Sequence, residues 1–221
     1  LPIECFAYGT SGYGTLQQLL FLQQHIDSIL PDLLVLQMCT NDFIDNHYEL
    51  AMECMYEMHE KRPYVQADGK IVYKVPLSTF RRVLVYLKFP EFVYKRIRRI
   101  MVHQGWLEAG ESKIASQGME YPIYASAVKK TEDLLQKIID TLPSKTSLIV
   151  FSADAFEPQL QTLRKMVIAK QITFVDSHIH KLREAEGKGK VTFHQDRVHW
   201  SPEGHKIVAN ALAEEILTLL K

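Results

Sequence analysis

Cysteine is scarce: Cys5, Cys39 and Cys54 are the only three in 221 residues. That is too few and too odd a number for a disulfide framework, so buried free thiols are expected. No run of 18 apolar residues occurs, which excludes a spanning helix. No secretory leader pattern stands at the start either. The chain opens at Leu1 and runs straight into an apolar stretch, so an upstream segment is expected to be missing. Any targeting signal would lie there, which leaves the compartment open, with the cell envelope or secretion slightly favoured over the cytoplasm. Charge of one sign is lacking too. Lys+Arg and Asp+Glu are both 26 and the pI is about 7.3, which argues against a nucleic-acid partner. The balance is uneven along the chain. Residues 1–60 hold nine acids and no Lys or Arg, leaving +9 on residues 61–221. With ten Gly, nine Pro and 47% hydrophobic residues, disordered and collagen-like classes are excluded, and the length suffices for one ample core.

Ile3–Tyr8 reads as a short strand ending in Gly9-Thr10-Ser11-Gly12-Tyr13-Gly14-Thr15, followed by a helical pattern through Leu16, Leu19, Leu20 and Leu22 or Gln23. Pro31-Asp32 punctuates its exit, and Leu33–Met38 has the apolar run of a fully buried strand. Ser147–Phe151 and Ile172–Val175 are further strands, after helices over Ile123–Leu142 and Gln159–Lys170. A last helix follows Ser201 as N-cap and Pro202 as first helical residue, with Val208, Ala211, Leu212, Ile216, Leu219 and Leu220 as its apolar stripe. Alternating strands and helices predict a parallel sheet covered on both faces. Between the second and third strands lies an insertion of about Asp45 to Gly118. It is expected to open with one helix carrying Asp45, Glu49, Glu53 and Glu57 opposite Leu50, Met52, Met55 and Met58. A hairpin over Tyr64–Val75 is expected to turn at Asp68-Gly69, with Val65, Ala67, Ile71 and Tyr73 alternating. Leu77–Trp106 then sets seven Arg/Lys against one acid, Glu91, among apolar and aromatic residues. Two readings of that stretch stand open: a cap whose cations face the acidic stripe, or a peripheral membrane or acyl-chain contact.

Ligands of open parallel sheets sit beyond the carboxyl ends of the strands, and three polar groups fall there. Gly9–Gly14 reads Gly-x-x-Gly-x-Gly, the reverse of the dinucleotide spacing, and Tyr13 breaks a Gly-x-Ser-x-Gly elbow. It offers a closely approachable N–H at Gly12, or simply a tight turn. Cys39-Thr40-Asn41-Asp42 places an amide donor at Asn41, where it can stabilise an oxyanion, or plainly forms a turn. Asp196-Arg197-Val198-His199-Trp200-Ser201-Pro202 can fold so that the carboxylate orients the imidazole and frees its other nitrogen as a general base. His178-x-His180 with His194 reads as a polar loop rather than a metal site. Asp154 and Asp176 close their strands and are expected to cap or to bind loop amides.

In this order the three groups resemble blocks two, three and five of the SGNH/GDSL hydrolase family, over residues 1–46 and about 147–221. The insertion, with Arg62-Pro63-Tyr64 and Asp68-Gly69-Lys70, is similar to cap segments of some bacterial members. The resemblance implies an α/β fold, a three-layer α/β/α sandwich with a flavodoxin-like parallel sheet. Residues 1–44 and 119–221 would form the hydrolase core, and 45–118 the helical and hairpin cap. It implies Gly12 and Asn41 as oxyanion-hole donors, His199 as general base and Asp196 as its orienting carboxylate. It also implies hydrolysis of esters, thioesters or O-acetyl groups, or acyl transfer to a sugar hydroxyl. The substrate would be a small-molecule, carbohydrate or lipid ester, and neither cofactor nor metal is expected. One departure is large. The family's nucleophile is the serine of Gly-Asp-Ser, and these 221 residues contain no Gly-Asp-Ser. The expectation is that this block and its strand precede residue 1. Ser11 as a substitute nucleophile, or a nucleophile-less acyl- or carbohydrate-binding relative, are the alternatives.

Overall fold

A computed structural model describes residues 3–55, 60–196 and 198–219; Glu57, Met58, Arg197 and Leu220 lie outside them. In chain order the elements are α1 (Thr15–Ile29), β1 (Leu33–Met38), α2 (Asp42–Asp45), α3 (Tyr48–Glu53), β2 (Arg62–Val65), β3 (Ile71–Lys74), α4 (Thr79–Leu84), α5 (Lys88–His103), α6 (Gly110–Gln117), a 3-10 turn (Gly118–Glu120), α7 (Pro122–Thr141), β4 (Ser147–Ser152), α8 (Gln159–Ala169), β5 (Thr173–Val175), α9 (Ser177–Gly187) and α10 (Pro202–Leu219). They fall into two compact units: Leu1–Leu30 with Asn41–Leu142, and Pro31–Thr40 with Pro143–Lys221.

The second unit holds the sheet of the expected α/β fold. Its strands run parallel in the order β1-β4-β5, with Leu33 opposite Ser147 through Met38 opposite Ser152, and Ile149 opposite Thr173. Strand side chains alternate faces. On one face Ile149, Phe151 and Val175 meet Leu182 of α9 and Val208 of α10, with Trp200, Leu212 and Ile216 packed around them. Each such side chain, fully removed from water, contributes about 1.5–3 kcal/mol. The terminal helix starts as its sequence dictates: Pro202 takes the first helical position, and Ser201 Oγ accepts the Gly204 N–H at 3.1 Å. Its stripe thins toward the end, where Leu219 is exposed. β1 is only half-buried over Leu33–Val35, and Gln37 is exposed; among the described residues it pairs along one edge alone, with β4.

The first unit is built on α7. Its buried Tyr124, Ala127, Val128, Thr131, Leu134, Leu135 and Ile138 recur at three- and four-residue steps, and α1 packs on it through Leu16, Leu19, Leu22 and Ile26. α1 ends where Leu30 turns left-handed at φ 43°.

Several expectations need correction. Ile3–Tyr8 forms no strand. No ladder partner lies beside it among the described residues, and Ile3, Phe6, Tyr8 and Cys5 are exposed. Only Cys54 of the three thiols is buried. The acidic stripe is not one helix. α2 ends at Asp45, His47 caps α3 by accepting the Leu50 N–H at Nδ1, and Asp45 is buried while Glu49 is exposed. The β2–β3 hairpin turns at Asp68-Gly69 as expected, with Gly69 at φ 82°, but Ile71 and Tyr73 face solvent while Tyr64 points inward. The basic run does not answer the acids as a stripe. Arg98 donates to the Glu53 and Cys54 carbonyls, and the Glu53 carboxylate meets Lys113 and Tyr121 instead. The segment of His178 and His180 is helix α9, not a loop. Asp176 precedes α9 without capping it by its side chain, and accepts from Arg164 Nε at 2.8 Å. Among the described residues no helix is long and apolar enough to cross a membrane.

Candidate active site

The two histidine-loop residues meet within the second unit. His199 Nδ1 lies 2.7 Å from Asp196 Oδ2, while Asp196 Oδ1 accepts the Val198 and His199 amides, each at 3.0 Å. The His199 hydrogen bond, then those amides, hold the Asp196 carboxyl well below the usual carboxylate range. An ionised carboxylate only accepts, so Nδ1 carries the proton and Nε2 presents its lone pair. The imidazole is solvent-accessible, with 78% of its side chain exposed. Its backbone is nevertheless tied down. His194 N donates to the His199 carbonyl at 2.8 Å, Ser201 N to the Thr192 carbonyl at 2.9 Å, and Ser201 Oγ to the Val191 carbonyl at 2.6 Å. Gly204 lets this loop lie on α10, since a Cβ there would stand 2.1 Å from the Thr192 oxygen.

Gly12 and Asn41 belong to the first unit. Gly12 has φ 77° in an exposed turn, a conformation only glycine adopts cheaply, and nothing lies within 4 Å of where its Cβ would be. Ser11 beside it is exposed. Asn41 is half-buried at the head of α2, and its Nδ2 donates to Asp45 Oδ2 at 3.0 Å. An amide NH₂ carries two hydrogens, so this bond orients the group and leaves the second for a ligand.

Asp45, expected on the acidic stripe of one helix, is instead the partner of the Asn41 amide. It is 4% exposed, and its Oδ2 also accepts from Arg62 Nη2 at 3.2 Å, while Arg62 Nη2 reaches Gln17 Oε1 at 2.9 Å. Burial pushes the Asp45 carboxyl up to about 7, with Arg62 opposing the rise. Its other oxygen, Oδ1, is buried without a hydrogen-bond partner among the described residues. Asp42 accepts from Thr15 Oγ1 at 3.1 Å, and Asn46 links Leu16 N to Thr131 Oγ1. The Asn41 turn is therefore held to α1, α7 and the hairpin. One signal could have found the pair: the first sixty residues contain no Lys or Arg, so an acid buried there is answered from further along the chain or titrates upward.

Two other histidines are settled by their partners. His178 is fully buried, and its Nε2 faces the Ser152 carbonyl at 2.8 Å; a carbonyl only accepts, so Nε2 carries a hydrogen and donates it, and burial lowers the titration of this structural imidazole. His47 lines a cleft of about 630 Å³ with Tyr48, Tyr64, Lys74, Ser126 and Lys130. Its Nδ1 accepts the Leu50 N–H, so Nε2 donates to Ser126 Oγ at 3.1 Å. A serine that receives a hydrogen bond from its histidine is not activated by it. Asp154, whose titration burial raises, accepts the Thr40 amide at 2.9 Å at the carboxyl ends of β1 and β4.

The GDSL-like Lipase/Acylhydrolase family model matches residues 3–212. The chain belongs to that family. Membership brings lipase- or esterase-type acylhydrolase chemistry with it, and the parallel α/β sheet flanked by helices is the fold that goes with it. No curated protein and no solved structure matches the chain.

Proposed function

We propose that this protein is a serine-dependent hydrolase of carboxylic esters in small-molecule, carbohydrate or lipid substrates. The observation that carries the reading is the Asp196–His199 pair at 2.7 Å, with Nδ1 donating and Nε2 open. In the proposed mechanism a serine Oγ attacks the ester carbonyl carbon as His199 Nε2 takes its proton. The Gly12 N–H and the second Asn41 amide hydrogen stabilise the tetrahedral oxyanion. Collapse expels the alcohol, which leaves with the proton from His199, and water then releases the acyl group by the same steps. Asp196 stays ionised throughout and stabilises the imidazolium.

The nucleophile in this reading is the serine of a Gly-Asp-Ser block outside residues 1–221; the SGNH/GDSL resemblance implies such a block, and these residues contain none. Fluorophosphonate labelling of the gene product, with peptide mapping, tests it. Label on a serine outside these residues, lost in His199→Ala, is expected. Label on Ser11 would move the nucleophile, and no label on any serine would leave the protein an acyl- or carbohydrate-binding relative. Where labelling succeeds, sugar-ester product formed from an added sugar would mark an acyltransferase instead.

A further inference from the structure

Helix α5 is built the wrong way round for a water-soluble surface. An amphipathic helix normally turns its apolar stripe inward. Here Arg98 points inward, donating to the Glu53 and Cys54 carbonyls at 3.3 and 3.1 Å, while apolar side chains of the same helix point out. Phe89 is 74% exposed, Phe92 66% and Ile100 48%. The flanking segments add further exposed aromatics, Phe80 at 65%, Tyr86 at 87% and Trp106 at 75%. Phe80 sits edge-on to Tyr94 of α5 at 6.2 Å, which ties α4 to α5. Scattered exposed apolar residues need no explanation, but an aromatic-rich patch of this density does.

Charge selects what covers it. Arg82, Lys88, Arg96 and Arg99 are exposed beside the patch, and Glu91, the one acid of residues 77–106, is ion-paired with Lys95 at 2.7 Å. A second copy would bring four more cations against these four. A neutral acyl chain would leave them unused. An anionic bilayer surface satisfies both features: aromatic rings settle at the headgroup level, and cations meet the lipid phosphates. We infer that α4, α5 and the Trp106 turn form a peripheral docking surface for anionic lipid membranes. This surface stands independently of the catalytic reading.

Vesicle co-sedimentation of the intact chain tests it, using phosphatidylcholine alone and phosphatidylcholine mixed with phosphatidylglycerol. Pelleting with the anionic vesicles, weaker by about tenfold or more with neutral ones and reduced by salt, is expected. The double variant Arg96→Glu/Arg99→Glu should lose about tenfold or more in partitioning. Phe89→Ser/Phe92→Ser, whose side chains already face water, should keep the far-UV spectrum and also release the vesicles. Equal pelleting on both vesicle types, no pelleting, or binding unchanged in the variants would each overturn the inference. A concentration-dependent dimer that dissolves in Phe89→Ser/Phe92→Ser, without vesicle binding, would assign the surface to a second copy instead.

Discussion

Asp45→Asn offers the sharpest test of the electrostatics around Asn41. The Asp45 carboxyl is 4% exposed and titrates at about 7 in the fold, against about 4 in an unfolded chain. The folded state therefore holds this proton across a pH range in which the unfolded state has released it. Stability rises with pH only where the unfolded state binds more protons, so here it must fall as pH rises from about 4 to about 7. At about 1.4 kcal/mol per pH unit, the loss over that window is about 4 kcal/mol from this one group. Asparagine cannot titrate, so the variant loses that dependence while all other groups contribute equally to both proteins. The assay is urea unfolding of both proteins at pH 4 through 8. The difference in unfolding free energy, wild type minus variant, should decline by about 4 kcal/mol between pH 4 and 7, then level off. The intercept differs, because the variant leaves Arg62 facing a neutral amide, and only the slope is diagnostic. Parallel curves would refute the reasoning. A difference that instead grows with pH would mean that Arg62 at 3.2 Å outweighs burial and holds the carboxyl down.

Asn41→Ala should keep its fold and lose on the order of 10²–10³ in kcat in an ester-hydrolysis assay of the active gene product, the usual effect of removing one oxyanion donor; unchanged turnover would remove Asn41 from the site. His199→Ala should lose more, and Asp196→Asn less than His199→Ala, in the same assay. Gly204→Ala sets a Cβ against the Thr192 oxygen and should cost about 1–3 kcal/mol by urea unfolding, as overpacking does. Because the clash sits under the His199 loop, activity should fall as well. Titration with a disulfide reagent should find Cys5 reactive in the native protein and Cys54, buried and pushed up by that burial and by Glu111, unreactive until unfolding.

The parts legible in the sequence are those decided by local pattern. β1, β4, α7, α8 and α10 carry apolar runs or stripes whose period names the element, and each falls within two residues of expectation at either end. The Asp196–His199 contact was legible for the same reason: three residues of loop suffice to close it. Ile3–Tyr8 shows the limit of such reading. Its apolar run suits a strand, but a strand exists only with a neighbour to complete its ladder, and pattern says nothing about neighbours. α9 escaped for a different reason. Its buried His178, Leu182 and Ala185 keep helical spacing, but a histidine holds one of the three positions and polar residues fill the rest.

Asp45 and Arg62 depended on something longer-ranged still. Their contact needs the α2 turn to end where it does, and it needs β2 to bring Arg62 back across 17 residues of chain. Neither is written in a local period. Yet nine acids without one Lys or Arg over residues 1–60 already limited the possibilities. A carboxylate buried in that stretch has no Lys or Arg within it to offset the cost of leaving water, a cost of several kcal/mol per ion. It must either be answered by a residue from beyond position 60 or titrate upward. Asp45 does both, with Arg62 as the answering residue and burial still raising its carboxyl. The hairpin that opens the basic part of the chain therefore also holds the carboxylate that orients the Asn41 amide, and a substitution at Arg62 should reach that amide without touching it.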